Sequence, residues 1–230
     1  MNIDEDIKNF ADDCIFARAI YVHSKTLFES SSAEQKEIMS RTAPKFFQDL
    51  NIVFIEYVIL QVCKIIDPAK FGKNENLTIE FLLGNYDSTA KPQKAQTLHD
   101  LNEKMKRFGS KLSEARNKRI AHSDRAASLD GYPLGGVPNT EWDDFWLNLS
   151  KFISIVHGEV DETPMDIRNI WLSDADSLLK ALKQSACFEH LLNGNDATLT
   201  QKCANLMWGG QVVGCHEPAT KRLSLSAFDR

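Results

Sequence analysis

Four chemically capable side chains fall within seven residues of this chain: Arg116, Asn117, Arg119 and His122. If the stretch is helical, three residues turn the side-chain direction about 60° short of a full turn. Arg116, Arg119 and His122 then form a slowly turning stripe. Arg116 and His122 stand roughly 120° apart around the axis and about 9 Å apart along it. A long arginine closes much of that gap, and Ala121 beside His122 lets another helix approach closely. An imidazole here can exchange a proton with the 2′-hydroxyl of RNA or with a leaving oxygen. A guanidinium can grip phosphate oxygens in a two-pronged fork and stabilise the extra charge of a phosphodiester transition state. Asn117 can orient either group. Such chemistry needs no metal. The competing explanation is that cations near the end of a helix are simply favoured by its dipole. Residue types alone leave both open.

The element that must position this cluster is residues 98–125. Leu98, Leu101, Met105, Phe108, Leu112 and Ala115 recur at spacings of three and four, which predicts a helix with one apolar seam. The same stretch carries eight Lys/Arg against four Asp/Glu, read as one basic stripe, in a protein whose net charge is -5.

The remaining segments also read as helices. Residues 4–29 have an apolar face from Ile7 to Val22. Ser32 can cap the next reach, 33–66, with Gln35 completing a capping box. Pro44 predicts a break near 42–44. The half after it is apolar almost all round, which predicts burial in the centre of a bundle. Asp67-Pro68 ends it. Residues 76–86 read as a short helix with Asn76 as its cap, between loops at 68–76 and 87–95. Residues 123–139, with three Gly and two Pro, read as a loop. Asn139 or Thr140 is expected to cap a helix over 141–160, whose apolar face runs from Trp142 to Val156. Pro164 is expected to open a last helix over 165–192. No strand is expected before 211–214. The fold class is therefore all-α: an up-and-down bundle of five to six helices in residues 1–194, with a C-terminal extension, 195–230.

Composition removes several classes of function. The chain has 230 residues, 43% hydrophobic and 26% charged, as in ordinary globular proteins. Its acidic balance disfavours a generic coater of duplex DNA. Five widely spaced cysteines without a CxxC pair suggest reduced thiols and a cytoplasmic setting. The N-terminus is acidic and polar, unlike a secretory signal. The apolar run near 52–63 contains Glu56 and is too short to span a bilayer, so no membrane association is expected. Phosphate-loop, dinucleotide, HExxH and nucleophile-elbow motifs are absent. Cys203, Cys215 and His216 could in principle hold a metal, but free thiols are the simpler reading, so no metal or cofactor is expected. Gly135-Gly136 and Gly209-Gly210 read as turns. Trp142, Trp146 and Trp171, at helical spacing, read as core rather than as a base-stacking platform.

Arg116, Asn117 and His122, as R-N-x(4)-H, resemble the motif of the HEPN superfamily (higher eukaryotes and prokaryotes nucleotide-binding). The longer string ARNKRIAHSD, preceded by IIDP and NLTIEFLL, is similar to the AbiU-type abortive-infection branch, over roughly residues 45–160. The resemblance implies a helical bundle that forms homodimers. It also implies, in active members, metal-independent cleavage of RNA in a cleft shared by the two subunits. On it, Arg116 would contact the scissile phosphate, and His122 would be the acid/base or attack-orienting group. Asn117 would be the polar residue after the arginine. Asp124 falls two residues after the histidine, as in that branch. Spacing alone makes Lys118 and Arg119 candidate contacts to the RNA backbone, and Asp124 is expected to contact the RNA with them. Partners implied are RNA, a second copy of the chain, and an antitoxin protein or a nucleotidyltransferase. The family also holds non-catalytic members that bind nucleotides or act as dimeric scaffolds.

Overall fold

The computed structural model describes residues 3–116, 137–160, 165–169 and 172–193. Residues 1–180 form one compact unit and residues 181–230 a second; the boundary expected at 194/195 lies at the edge of the described residues. Seven α-helices appear among these residues: α1 (Ile3–Ser24), α2 (Ala33–Thr42), α3 (Pro44–Ile66), α4 (Ile79–Gly84), α5 (Pro92–Ala115), α6 (Asn139–His157) and α7 (Asp174–Asn193). The all-α bundle is as expected, with the reach 33–66 counted as two helices.

Local chemistry explains most of the boundaries. Ser32 Oγ accepts from the Gln35 N–H at 3.2 Å and Gln35 Oε1 accepts from the Ser32 N–H at 2.7 Å, closing the capping box of α2. Ala43, held at φ -156 ψ 70 ahead of Pro44, cannot continue α2. Pro44 then starts α3 at a position where no N–H is needed. Pro92 does the same for α5, which therefore begins inside the stretch expected to be a loop. The cap of α4 is Thr78, whose Oγ1 accepts from the Phe81 N–H at 3.3 Å, and not Asn76. Asn76 instead donates to the Pro68 carbonyl at 3.1 Å.

A two-stranded antiparallel hairpin, β1 (Lys70–Phe71) and β2 (Asn74–Glu75), occupies the expected loop. Its two-residue turn puts Gly72 at φ 62, a conformation that costs glycine nothing. At α6 the residue before the helix is Pro138, with no side-chain cap, and Asn139 donates to Glu29 Oε2 at 3.3 Å. The helix expected over 165–192 starts only at Asp174, after a 3₁₀ turn at Ile167–Asn169. The Asp166 carboxylate explains the difference: it accepts from the Arg168 N–H at 2.9 Å and from Ser150 Oγ at 2.6 Å. Such side-chain bonds compete with the helical ladder.

Four long helices close a ring, α1 against α3, α3 against α5, α5 against α6 and α6 against α1. Tyr21 of α1 meets Trp142 and Trp146 near the start of α6, while Phe10 meets Phe152 near its end. Phe108 of α5 meets Trp142 and Phe145, while Lys91 and Lys94 reach Glu159 just past the other end. Hence α1 and α5 both run antiparallel to α6. Phe108, Phe145 and Trp146 are buried in one core with the α5 seam of Leu98, Leu101, Met105 and Leu112. Each such side chain contributes about 1.5–3 kcal/mol on burial. Trp146 is thus core and Trp142 packs against it partly buried, in line with their spacing; Trp171 lies outside the described residues.

Central burial of the whole of α3 is not what the structure shows. Val58, Ile59, Val62, Cys63 and Ile65 are buried, but Phe46 is 60% and Val53 57% exposed, and Ile52 is also exposed. The ring covers the C-terminal part of α3 and leaves an apolar face on the other, beside exposed Phe16 of α1, whose ring meets Tyr57 edge-on.

Candidate functional site

Arg116 is the residue on which α5 ends. Its backbone is still helical (φ -56, ψ -53), and its N–H donates to the carbonyls of Leu112 and Ser113. The buried seam behind it, through Leu112, fixes the rotation of the helix and hence the direction of this side chain. Asp67 stands one residue past the end of α3, extended at φ -60 ψ 158 because Pro68 follows. The two ends meet. Arg116 Nη1 donates to Asp67 Oδ1 at 2.8 Å and Nη2 to Oδ2 at 3.0 Å. This is a two-pronged pair, with the arginine side chain 33% exposed and the aspartate 29%.

Cys63 lies one turn before Asp67 on α3 and is buried. Burial pushes its thiol up to about 11, against the pull of the Arg116 guanidinium and with the help of Asp67. The thiol is therefore protonated near neutrality.

Asn117, Lys118, Arg119, His122 and Asp124 lie outside the described residues, as do Cys203, Cys215 and His216. Of the expected site, the structure places Arg116.

The cations of α5 do not form one stripe. Lys104, Arg107 and Lys111 line a groove of about 450 Å³ against α6, shared with Lys151, Glu141 and Asp144. Lys111 is paired there with Glu141. Lys106 turns toward α4, where it donates to Glu80 at 3.1 Å. Arg116 points toward α3, about 140° around the helix from Lys111. The groove and the Asp67–Arg116 pair are thus on different sides of α5.

In the sequence, Asp67-Pro68 signals only the end of a helix. Asp67 does sit in the IIDP string, so a signal was present, but 49 positions separate it from Arg116 and nothing local connects them. Among the described residues, no three His, Cys, Asp or Glu side chains converge as metal ligands. Among the same residues, no helix is long and apolar enough to cross a membrane.

Residues 2–158 match the model of a HEPN family described as AbiU2. The chain belongs to the AbiU2 family of HEPN proteins. The match takes in α1 and α2 as well as the R-N-x(4)-H string and α6, so the AbiU2 likeness begins well before residue 45. α7 and the residues after it fall outside. Neither curated proteins nor solved structures give a match.

Proposed function

We propose that this AbiU2-family protein is a cytoplasmic, metal-independent endoribonuclease of a phage-defence or toxin–antitoxin type, working as a homodimer. The observation that carries the reading is the family's R-N-x(4)-H string beginning where α5 ends, with the Arg116 guanidinium one-third exposed. In the reaction, the 2′-oxygen attacks the neighbouring phosphorus and the bond to the 5′-oxygen breaks. The 2′-hydroxyl gives up its proton and the leaving oxygen gains one. His122 is assigned to that proton exchange and Arg116 to the phosphate oxygens. Asn117 orients them, and Lys118, Arg119 and Asp124 contact the RNA. The exposed apolar face of Phe16, Phe46, Ile52 and Val53 supports self-association, since such faces on soluble proteins mark contact surfaces. An antitoxin protein or a nucleotidyltransferase is the partner class that goes with this reading.

The pairing of Arg116 with Asp67 gives a second reading its support. A guanidinium already held by a carboxylate serves equally well as a structural tie in a non-catalytic dimer that binds a nucleotide or a protein. Cleavage of varied RNAs in EDTA by wild type, Arg116→Ala and His122→Ala separates the two. The enzyme reading expects turnover that both substitutions remove. The scaffold reading expects none from any of the three, with changes only in binding or stability.

A further inference from the structure

Resting on the ribonuclease reading, we propose that Asp67 is the positioning residue for Arg116: it holds one edge of the guanidinium so that the other edge faces the phosphate. An arginine offers five N–H donors in a rigid planar fork. Asp67 engages one on Nη1 and one on Nη2. Among the described residues this leaves the Nε–H and the outward N–H groups of Nη1 and Nη2 for a second acceptor, enough for a two-pronged grip on phosphate oxygens.

The holder is itself fixed. Pro68 restricts the Asp67 backbone, and the Asp67 N–H donates to the Lys64 carbonyl at 3.3 Å. Beneath it, Cys63 is buried in the main core. The carboxylate is thus anchored to α3 while the guanidinium comes from α5. A flexible side chain is ordered before substrate arrives, which is where orientation gains rate. The pair is about one-third exposed, so water screens it, and the midpoint of thermal unfolding is read alongside turnover to separate a loss of positioning from a loss of stability.

The experiment uses the full chain carrying Asp67→Asn, Asp67→Glu, Arg116→Ala and the double substitution Asp67→Asn/Arg116→Ala. For Asp67→Asn the expected result is a fall in kcat of about tenfold or more, since misplacement of a positioned group by an ångström costs up to two orders of magnitude. KM should change less, and the midpoint of thermal unfolding should stay near wild type. Asp67→Glu should recover part of the loss. The double substitution should be no slower than Arg116→Ala, because the two residues act as one unit. Independently of any turnover, ¹⁵N relaxation at Arg116 Nε should show an ordered side chain in wild type and a mobile one in Asp67→Asn. If wild type cuts no RNA, the ribonuclease reading fails, and the Nε measurement alone decides whether Asp67 orders Arg116. Turnover of Asp67→Asn equal to or above wild type overturns the proposal, since the carboxylate would then be idle or a competitor for phosphate. An Nε order unchanged by Asp67→Asn overturns it too.

Discussion

Gly109 of α5 lies directly against Ile66 of α3: a β-carbon placed on Gly109 would stand 1.6 Å from Ile66 Cδ1 and 3.1 Å from Cγ1. The missing side chain leaves the space that the Ile66 side chain fills, just before the two helix ends meet at Asp67 and Arg116. Glycine inside a helix is otherwise unfavourable by about 1 kcal/mol relative to alanine. Its presence inside α5 has this packing reason.

Gly109→Ala should therefore destabilise the protein despite improving helix propensity. Overpacking costs about 1–3 kcal/mol and the propensity gain is about 1 kcal/mol, so a net loss of about 1 kcal/mol is expected. Ile66→Ala in the same chain should remove the clash, making the two substitutions less than additive. Chemical unfolding of the two single variants and the double variant measures this. Additive losses would mean that Gly109 and Ile66 do not share the contact.

Asp166 links folding to pH. Hydrogen bonds from Arg168 hold its carboxyl well below the usual carboxylate range, with Ser150 adding to them and burial opposing. A folded-state value below the unfolded one means that the stabilisation is complete above the unfolded pKa, about 3.9 for aspartate. It is lost as pH falls through the lower folded value. Asp166→Asn should cost about 1 kcal/mol at neutral pH, read as a fall in Tm of about 2–4 °C. The gap between wild type and variant should narrow as pH drops below about 4. Thermal unfolding followed from pH 7 to pH 3 checks this, and a gap that does not depend on pH would contradict it.

Self-association should run through the exposed part of α3. Val53 is 57% exposed, so Val53→Glu should leave the fold intact while placing a charge in the apolar face. Sedimentation velocity should show wild type as a dimer and the variant as a monomer, with RNA cleavage per subunit lost along with the dimer. A monomeric variant at full activity would remove self-association from the mechanism.

What could be read from the sequence was local. The Ser32 and Gln35 capping box, the Pro44 break and the apolar seam of α5 each depend on residues within a few positions of one another, and each stands in the structure. Chemistry set by distant partners was not legible. Asp67 and Arg116 meet because two helices end at the same place, and no spacing encodes that. The early helix expected after Pro164 gave way because Ser150, sixteen residues before Asp166, helps fix the Asp166 carboxylate in a turn. The apolar residues of α3 predicted burial all round, but the ring has helices for only part of its length. At the site, the residue types pointed to Arg116, and its neighbour Asp67 came only from the fold. The resemblance drawn from Arg116, Asn117 and His122 led to the HEPN AbiU2 family, which the match over residues 2–158 shows.

The central claim is tested most directly by incubating the purified full-length protein with a set of structured and unstructured RNAs in EDTA, alongside His122→Ala. Wild type should cleave at least one RNA, and the variant should be slower by about 10²–10⁴-fold, the contribution of a positioned acid–base group. Equal rates for the two proteins, or no cleavage by either across the set, would contradict it.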